Sequence, residues 1–339
     1  MARICGNPDC GDPVPPGRLL YCSQRCGNRI ADRRYAARRR GQTGPKTLAA
    51  LDVPTLLGGA IDLPDTSSEP TPHDLFEGYQ AVKPITIPKD KEGARSIYLS
   101  DLQIPFVDWP AMKLVEHFME DWQPDRIFYV GDIADFYGIS KFDKNPARRF
   151  RLKHERAWVR EMLDRHKQMV PNAEQTWLDG NHEERIVRYL WERAPELADL
   201  DDEDTGEPIM GIPALFGLNK RGIQYTSYAG HVDYLGFLIT HGNLLSKHSS
   251  YTAKQMSERF RSSGLSAHSH RLGMYNWTGI AGPQAWYENG CLCRMDPEYM
   301  HNPNWQLGFH IGVVVDQKVH VLPGIIFGRK LYIEGKVYG

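Results

Sequence analysis

Five short runs in this chain each end in residues that can hold a metal ion or move a proton, and that repetition constrains the fold more than any bulk property. The runs span residues 96–100, 126–130, 175–178, 237–240 and 264–267. They lead into Asp101-Leu102-Gln103, Gly131-Asp132, Asp179-Gly180-Asn181-His182-Glu183, His241-Gly242 and His268-Ser269-His270. Four or five residues rich in apolar and aromatic side chains read as buried strands, whereas stretches 109–122, 146–170 and 184–193 carry helical periodicity. The alternation predicts an α/β domain from Arg95 onward, with polar residues gathered at strand ends, where open α/β sheets place ligands. Residues 309–315, 319–323 and 329–333 predict an antiparallel meander, with Asp316-Gln317 as a two-residue turn lacking the usual glycine.

Each polar block has a plain structural explanation: a lone His after a strand commonly hydrogen-bonds in a loop, and Gly-Asp commonly makes a turn. Five of them in order point to a divalent-metal site instead. Carboxylate, amide and imidazole donors together suit Mn, Fe or Zn, or a mixture of these.

In their order the blocks resemble the calcineurin-like metallophosphoesterases, whose pattern is Asp-x-His, Gly-Asp, Gly-Asn-His-Asp/Glu, His and Gly-His-x-His. The resemblance covers about residues 95–338. It implies a four-layer α/β/β/α sandwich rather than a doubly wound sheet. It also implies that Asp101 and His270 bind a first metal, that Asn181, His241 and His268 bind a second, and that Asp132 bridges both. His182 would stand beside the scissile phosphate, stabilising charge or protonating the leaving oxygen. Two cations about 3.5–4 Å apart can create a bridging hydroxide at neutral pH and clamp the phosphoryl oxygens. The chain departs from the pattern at Ala267, where the family has Gly, and at Gln103, where it has His. Gln103 can coordinate through its amide oxygen, but it is neutral and harder than imidazole, which moves the first site toward Mn or Mg. Mn is the expected metal, with Mg, Fe or Zn as alternatives.

A second pattern sits in the first 40 residues. Cys5-x4-Cys10 and Cys22-x3-Cys26, eleven residues apart, offer four thiolates in a segment too small to fold unaided, which a structural zinc would stabilise. The helix-like stretch 23–40 carries Arg25, Arg29, Arg33, Arg34, Arg38, Arg39 and Arg40. Its Cys26-Gly27-Asn28-Arg29 string resembles the CGNR-type zinc finger, which implies DNA binding. Arginines along a helix are an electrostatic footprint for a phosphate backbone. A solvated basic face or a protein-docking finger is the alternative.

The formal net charge of -1 conceals this asymmetry: residues 1–46 hold ten Arg/Lys against three Asp/Glu, and residues 47–90 hold two against seven. Segment 41–92 is rich in Pro, Ser, Thr and acids and reads as a flexible linker, with a short helix near 47–57. Residues 1–40, 41–92 and 93–339 thus read as finger, linker and catalytic domain. No run of eighteen apolar residues and no secretory leader is seen, so a cytoplasmic protein with no membrane partner is expected. The small head on a phosphoesterase body is in the style of bacteriophage or bacterial gene products, with the host cytoplasm as the compartment if viral. Cys291 and Cys293 read as buried free thiols. Together these features predict a phosphodiesterase or nuclease acting on nucleic acid, DNA in preference to RNA. The alternatives are a phosphatase or phosphodiesterase on nucleotides or phosphoprotein, and a non-catalytic DNA-binding protein with a degenerate metal site.

Overall fold

The structure, a computed structural model, describes Cys10, Val82 and residues 84–339 except Asp199, Ala281 and 297–301. The zinc-finger cysteines other than Cys10, all seven arginines of the head and the helix expected near 47–57 lie outside the described residues. The chain divides into two units, Met1–Pro70 and Thr71–Gly339, and every described element belongs to the second.

In chain order the strands are β1 (Ile85–Ile87), β2 (Arg95–Leu99), β3 (Arg126–Val130), β4 (Glu174–Leu178), β5 (Gln224–Thr226), β6 (Val232–Tyr234), β7 (Phe237–Thr240), β8 (Gly264–Ser266), β9 (Gly273–Gly279), β10 (Gly282–Glu288), β11 (Gly308–Val315), β12 (Lys318–Phe327), β13 (Lys330–Ile333) and β14 (Lys336–Tyr338). The helices are α1 (Trp109–Trp122), α2 (Leu152–Met169), α3 (Glu184–Arg193), α4 (Pro195–Ala198), α5 (Ile212–Phe216) and α6 (Tyr251–Phe260). They build two sheets, one of eight strands in the order β14-β13-β12-β11-β2-β3-β4-β5 and one of six in the order β1-β6-β7-β8-β10-β9.

β2 to β5 run parallel, and β2 and β3 are buried on both faces, as their continuous apolar stretches require. Because side chains alternate along a strand, Ile97, Leu99, Ile127, Tyr129 and Trp177 form one core with Val115 and Phe118 of α1 and Val159 and Leu163 of α2. Their neighbours Tyr98, Phe128, Val130 and Leu178 form a second core with Val232, Tyr234, Ile239 and Leu265 of the six-stranded sheet. Trp286 of that sheet then packs against Ala253 and Met256 of α6. The three cores separate four layers, α/β/β/α, the architecture expected from the sequence. Each fully buried large side chain contributes about 1.5–3 kcal/mol relative to exposure.

Local chemistry explains the ends of α1. Asp108 accepts a hydrogen bond from the Ala111 amide at 3.0 Å, Pro110 occupies the first turn, and Gln123 closes the helix in the left-handed region. The meander forms as expected, with Asp316 and Gln317 at φ of 51° and 54°, a turn of the I′ kind made without glycine.

Two expectations need correction, and one hairpin was not foreseen. α2 begins at Leu152, not at 146, because Phe150 turns in to pack edge-on against Phe106 and Tyr137, and these contacts outweigh helical periodicity. The linker read as 41–92 is too long at its C-terminal end, since Ile85–Ile87 pairs with β6 as an edge strand. The β9–β10 hairpin went unread because its turn carries no Asn-Gly or Asp-Gly signal. Among the described residues, no helix is long and apolar enough to cross a membrane.

Candidate metal centre

The loops that follow β2, β3, β4, β7 and β8 converge at one end of the two sheets. Asp101, Gln103, Asp132, His268 and His270 all have φ between 49° and 68°, left-handed conformations that carry a cost and cluster at functional sites. Two glycines make the approach possible. A Cβ on Gly131 would collide with the His241 ring, and one on Gly180 would collide with the Asp132 carboxylate. The Gly-Asp and Gly-Asn pairs of the sequence are therefore packing requirements of the site itself.

Two groups of donors share one carboxylate. Asp101, Asp132 and His270 present ligand atoms within 4.8 Å of one another, as do Asp132, His241 and His268. Gln103 Nε2 stands 3.3 Å from His270 Nε2. Asn181 Oδ1 is 3.3 Å from His241 Nε2. All seven residues singled out as ligands thus come together. Asp101 and Asp132 are 0% and 1% exposed, too deep for solvated carboxylates.

Charge and hydrogen bonding orient the imidazoles. His241 Nδ1 lies 2.8 Å from the Val130 carbonyl, so that nitrogen carries the proton, and Nε2 faces Asp132 Oδ2 at 3.4 Å. Burial lowers the His241 pKa, but the Asp132 charge outweighs it and raises the value to about 9. Burial raises the Asp132 pKa, yet the His182 and His241 charges prevail and hold it below the usual carboxylate range. Burial, then the His241 charge, lowers His268 to about 4. His270 is raised well above its ordinary value: burial opposes this, and Asp101 outweighs burial across a 3.2 Å contact.

This donor set fits a pair of divalent cations. Asp101 Oδ1 is buried and accepts no hydrogen bond of good geometry among the described residues. The centre concentrates two carboxylates, three imidazoles and two amides, and Asp132 belongs to both donor groups. Cations bound to these atoms would compete with the imidazole protons, so affinity would fall in acid.

His182 occupies the edge of the cluster. Its amide donates to Asp132 Oδ1 at 2.8 Å, and its Nε2 lies 3.6 Å from Asp132 Oδ2. Nδ1 is 2.9 Å from Asp135 Oδ1, an ion-pair contact off the line of a good hydrogen bond. Arg185 Nη2 is 2.9 Å from Nε2, and Arg185 Nη1 donates to the Asp135 carbonyl at 2.6 Å. Asp135 and Arg185 were missed in the sequence; Arg185 falls one helical turn after His182, a spacing too common to notice. Cys293, correctly read as a buried thiol, lies closer to the chemistry than expected, with Sγ 3.7 Å from His270 Nδ1. The Trp305 ring sits 4.2 Å from that of His270, whereas Trp286 belongs to the core under α6.

Glu183 ties the loops together. Its Oε1 accepts from the amides of Ile133 and Ala134 and its Oε2 from those of Asp132 and Gly180, all at 2.8–3.0 Å. Beneath it, Asp179 accepts from Trp177 Nε1 and the Tyr225 hydroxyl.

Glu155 of α2 lies below Asp135, fully buried, with neither oxygen in a well-formed hydrogen bond. Burial, then the Asp135 charge, raises its pKa from 4.5 to about 8. An acid raised on folding binds its proton more tightly in the native state, so stability falls as pH rises from the unfolded value to the folded one and is level above it. Glu155→Gln, neutral throughout, is expected to match the parent near pH 5. Near pH 8.5 it should be more stable by up to about 4–5 kcal/mol, since the rise from 4.5 to about 8 is worth about 1.4 kcal/mol for each pKa unit. Urea unfolding of both proteins at the two pH values checks this; equal differences at both would count against a protonated Glu155.

The fold and site together define a four-layer α/β/β/α domain with a carboxylate shared between two groups of residues that could each hold a metal ion. No family model matches the chain. It is 29% identical over 260 residues to a protein called gene 54 protein of Mycobacterium phage D29, covering 72% of this chain and 98% of that one. To the gene 54 protein of Mycobacterium phage L5 it is 29% identical over 259 residues, with the same coverage. Among solved structures it is similar to vacuolar protein sorting 29 from Cryptosporidium parvum, with a TM-score of 0.36, 12% identity, and coverage of 73% of this chain and 96% of that one. It is also similar to a dimetal phosphatase from Danio rerio, with a TM-score of 0.31, 11% identity, and coverage of 69% and 99%.

Proposed function

We propose that the chain is a metal-dependent phosphoesterase that hydrolyses phosphodiester bonds in DNA. The observation that carries the phosphoesterase reading is the buried Asp132 carboxylate, common to two donor groups, with His182 anchored beside it. Asp101, Gln103 and His270 would hold one divalent cation with Asp132, and Asn181, His241 and His268 would hold the other. When bound, such a pair supplies Lewis-acid charge and lowers the pKa of water. Within the protein, Asp132 sets the spacing of the two donor groups. Glu183 holds the loop that carries Asp132, and Val130 fixes the His241 tautomer. His182, braced by Asp135 and Arg185, stands where it can place a proton on the departing oxygen.

The choice of DNA rests on the head, where four cysteines at zinc-ligand spacing are interleaved with and followed by seven arginines. In this reading Cys5, Cys10, Cys22 and Cys26 hold a structural zinc, and Arg25, Arg29, Arg33, Arg34, Arg38, Arg39 and Arg40 contact phosphates. Similarity to two bacteriophage proteins agrees with a viral source acting in the host cytoplasm.

The test is hydrolysis of labelled single- and double-stranded DNA, a cyclic nucleotide and a phosphopeptide with added Mn, Mg or Zn, and with chelator. Metal-stimulated cleavage of DNA in preference to the others is expected. Preference for the phosphopeptide or cyclic nucleotide would transfer the site to a phosphatase or nucleotide phosphodiesterase. Metal binding without turnover of any substrate would leave a DNA-binding protein with a degenerate centre.

A further inference from the structure

Between Lys144 and Arg160 the chain carries seven Lys and Arg residues and a single acid, Glu155, which is buried. This stretch begins beside the metal centre. Arg148 lies over the Phe106 ring at 5.0 Å, and the Phe106 amide donates to the carbonyl of Gln103 at 2.6 Å. It continues along α2, where Lys153, Arg156 and Arg160 fall on one helical face. That face forms the wall of an open groove of about 700 Å³.

Charges in the groove do not balance. Its two acids are already engaged, Asp164 with Arg221 at 2.7 Å and Glu161 with Arg165 at 3.6 Å. Among the described residues, Arg149, Arg151, Lys153, Arg156 and Arg160 form no ion pair. The Arg156 guanidinium is fixed by Nε donating to the Leu215 carbonyl at 2.8 Å, and Arg160 Nη2 donates to Ala214 at 3.4 Å. Both are thereby held against α5 with donors to spare. Arg160 Nε is buried without a hydrogen-bond partner. Burial, then the neighbouring Arg156 and Arg221 charges, lowers the pKa of Arg160 against the opposing Asp164 charge.

A solvated basic face would spread such charges apart; here they are concave, braced and short of counter-charge. We propose that the track from residue 144 along α2 to this groove binds the phosphate backbone of nucleic acid and leads it to the metal centre. This inference rests on the reading of that centre as one that acts on DNA. Lys153 to Arg160 spans about 10 Å at 1.5 Å per residue. That matches about three phosphates of one strand at roughly 3.4 Å of rise each.

The test compares three full-length proteins: the parent, a track variant (Arg149→Ala, Arg151→Ala, Lys153→Ala, Arg156→Ala) and a control variant with the same loss of charge on the exposed meander (Lys318→Ala, Arg329→Ala, Lys330→Ala, Lys336→Ala). Binding of a labelled 30-nucleotide DNA is measured without added Mn across a salt series, and thermal unfolding checks the fold. The track variant should bind at least about tenfold more weakly at 150 mM salt, with a log-log salt slope shallower by about 2–4, whereas the control should bind like the parent. Equal affinity of track variant and parent, equal losses in both variants, or no binding by the parent would each overturn the proposal. Hydrolysis of an aryl phosphodiester by the parent reports on the metal centre alone. Turnover without a track effect removes the track and leaves the phosphoesterase; a track effect without turnover removes the enzyme and leaves the track.

Discussion

Replacing Asp132 by Asn is expected to cut metal-stimulated phosphodiester hydrolysis by on the order of 10³-fold, equivalent to about 4 kcal/mol of barrier. The substitution preserves shape, and the Oδ1 that accepts from the His182 amide can remain an oxygen, so the fold should survive. What disappears is the negative charge common to both donor groups. Calorimetric Mn titration should change from two sites in the parent to one weaker site in the variant. The metal-free protein offers an independent readout, because Asp132 is the charge that chiefly raises the His241 pKa to about 9. An NMR titration of the variant should find His241 ionising well below that value. Turnover close to that of the parent would sink the assignment of Asp132 as the shared ligand. Lost turnover with unchanged Mn stoichiometry would show that Asp132 acts by some route other than holding metal.

The parts of this site legible in the sequence are those whose position follows from local rules. Polar residues within a few positions of the end of a buried strand must emerge at the strand end, so the sequence alone groups Asp101, Asp132, Asn181, His241, His268 and His270. The glycines before Asp132 and Asn181 were equally visible, although their reason was not: each clears space for a side chain far away in sequence. The residues that brace the site stayed hidden because nothing local marks them. Asp135 and Arg185 have the spacing of ordinary surface charges, and Glu155 lies on a helix of mixed charge where one more acid attracts no notice. Cys293 reaches His270 through an isolated bridge between Val107 and Cys293, a pairing of residues 186 positions apart that no periodicity announces. The same limit hid β1 and the β9–β10 hairpin, whose strands are short or follow an unmarked turn. Fold class was readable because it depends on repeated patterns; the bracing network depends on single long-range contacts.

Glu183 gives the second large effect, and it separates bracing from ligation. Its carboxylate offers two acceptor oxygens to four backbone amides, from Asp132, Ile133, Ala134 and Gly180. Glu183→Gln keeps the volume but turns one oxygen into an NH2 group, which must then face two N–H donors. Each buried donor left without an acceptor costs about 1–3 kcal/mol. An opposing effect exists: burial, then the Asp132 charge, raises the Glu183 pKa, so a neutral side chain relieves some like-charge repulsion. Two lost acceptors should outweigh that relief, leaving a net destabilisation of about 2–3 kcal/mol, read as a lower urea midpoint at unchanged slope. Because the bonds hold the loop that carries Asp132, Mn affinity and turnover should fall as well. The losses from Glu183→Gln and Asp132→Asn should combine to less than their sum, as expected for residues acting on one element. A stability change within about 0.5 kcal/mol, the range of ordinary surface substitutions, would remove the clamp from this account. Fully additive losses of activity would mean that Glu183 supports turnover by a path that does not pass through Asp132.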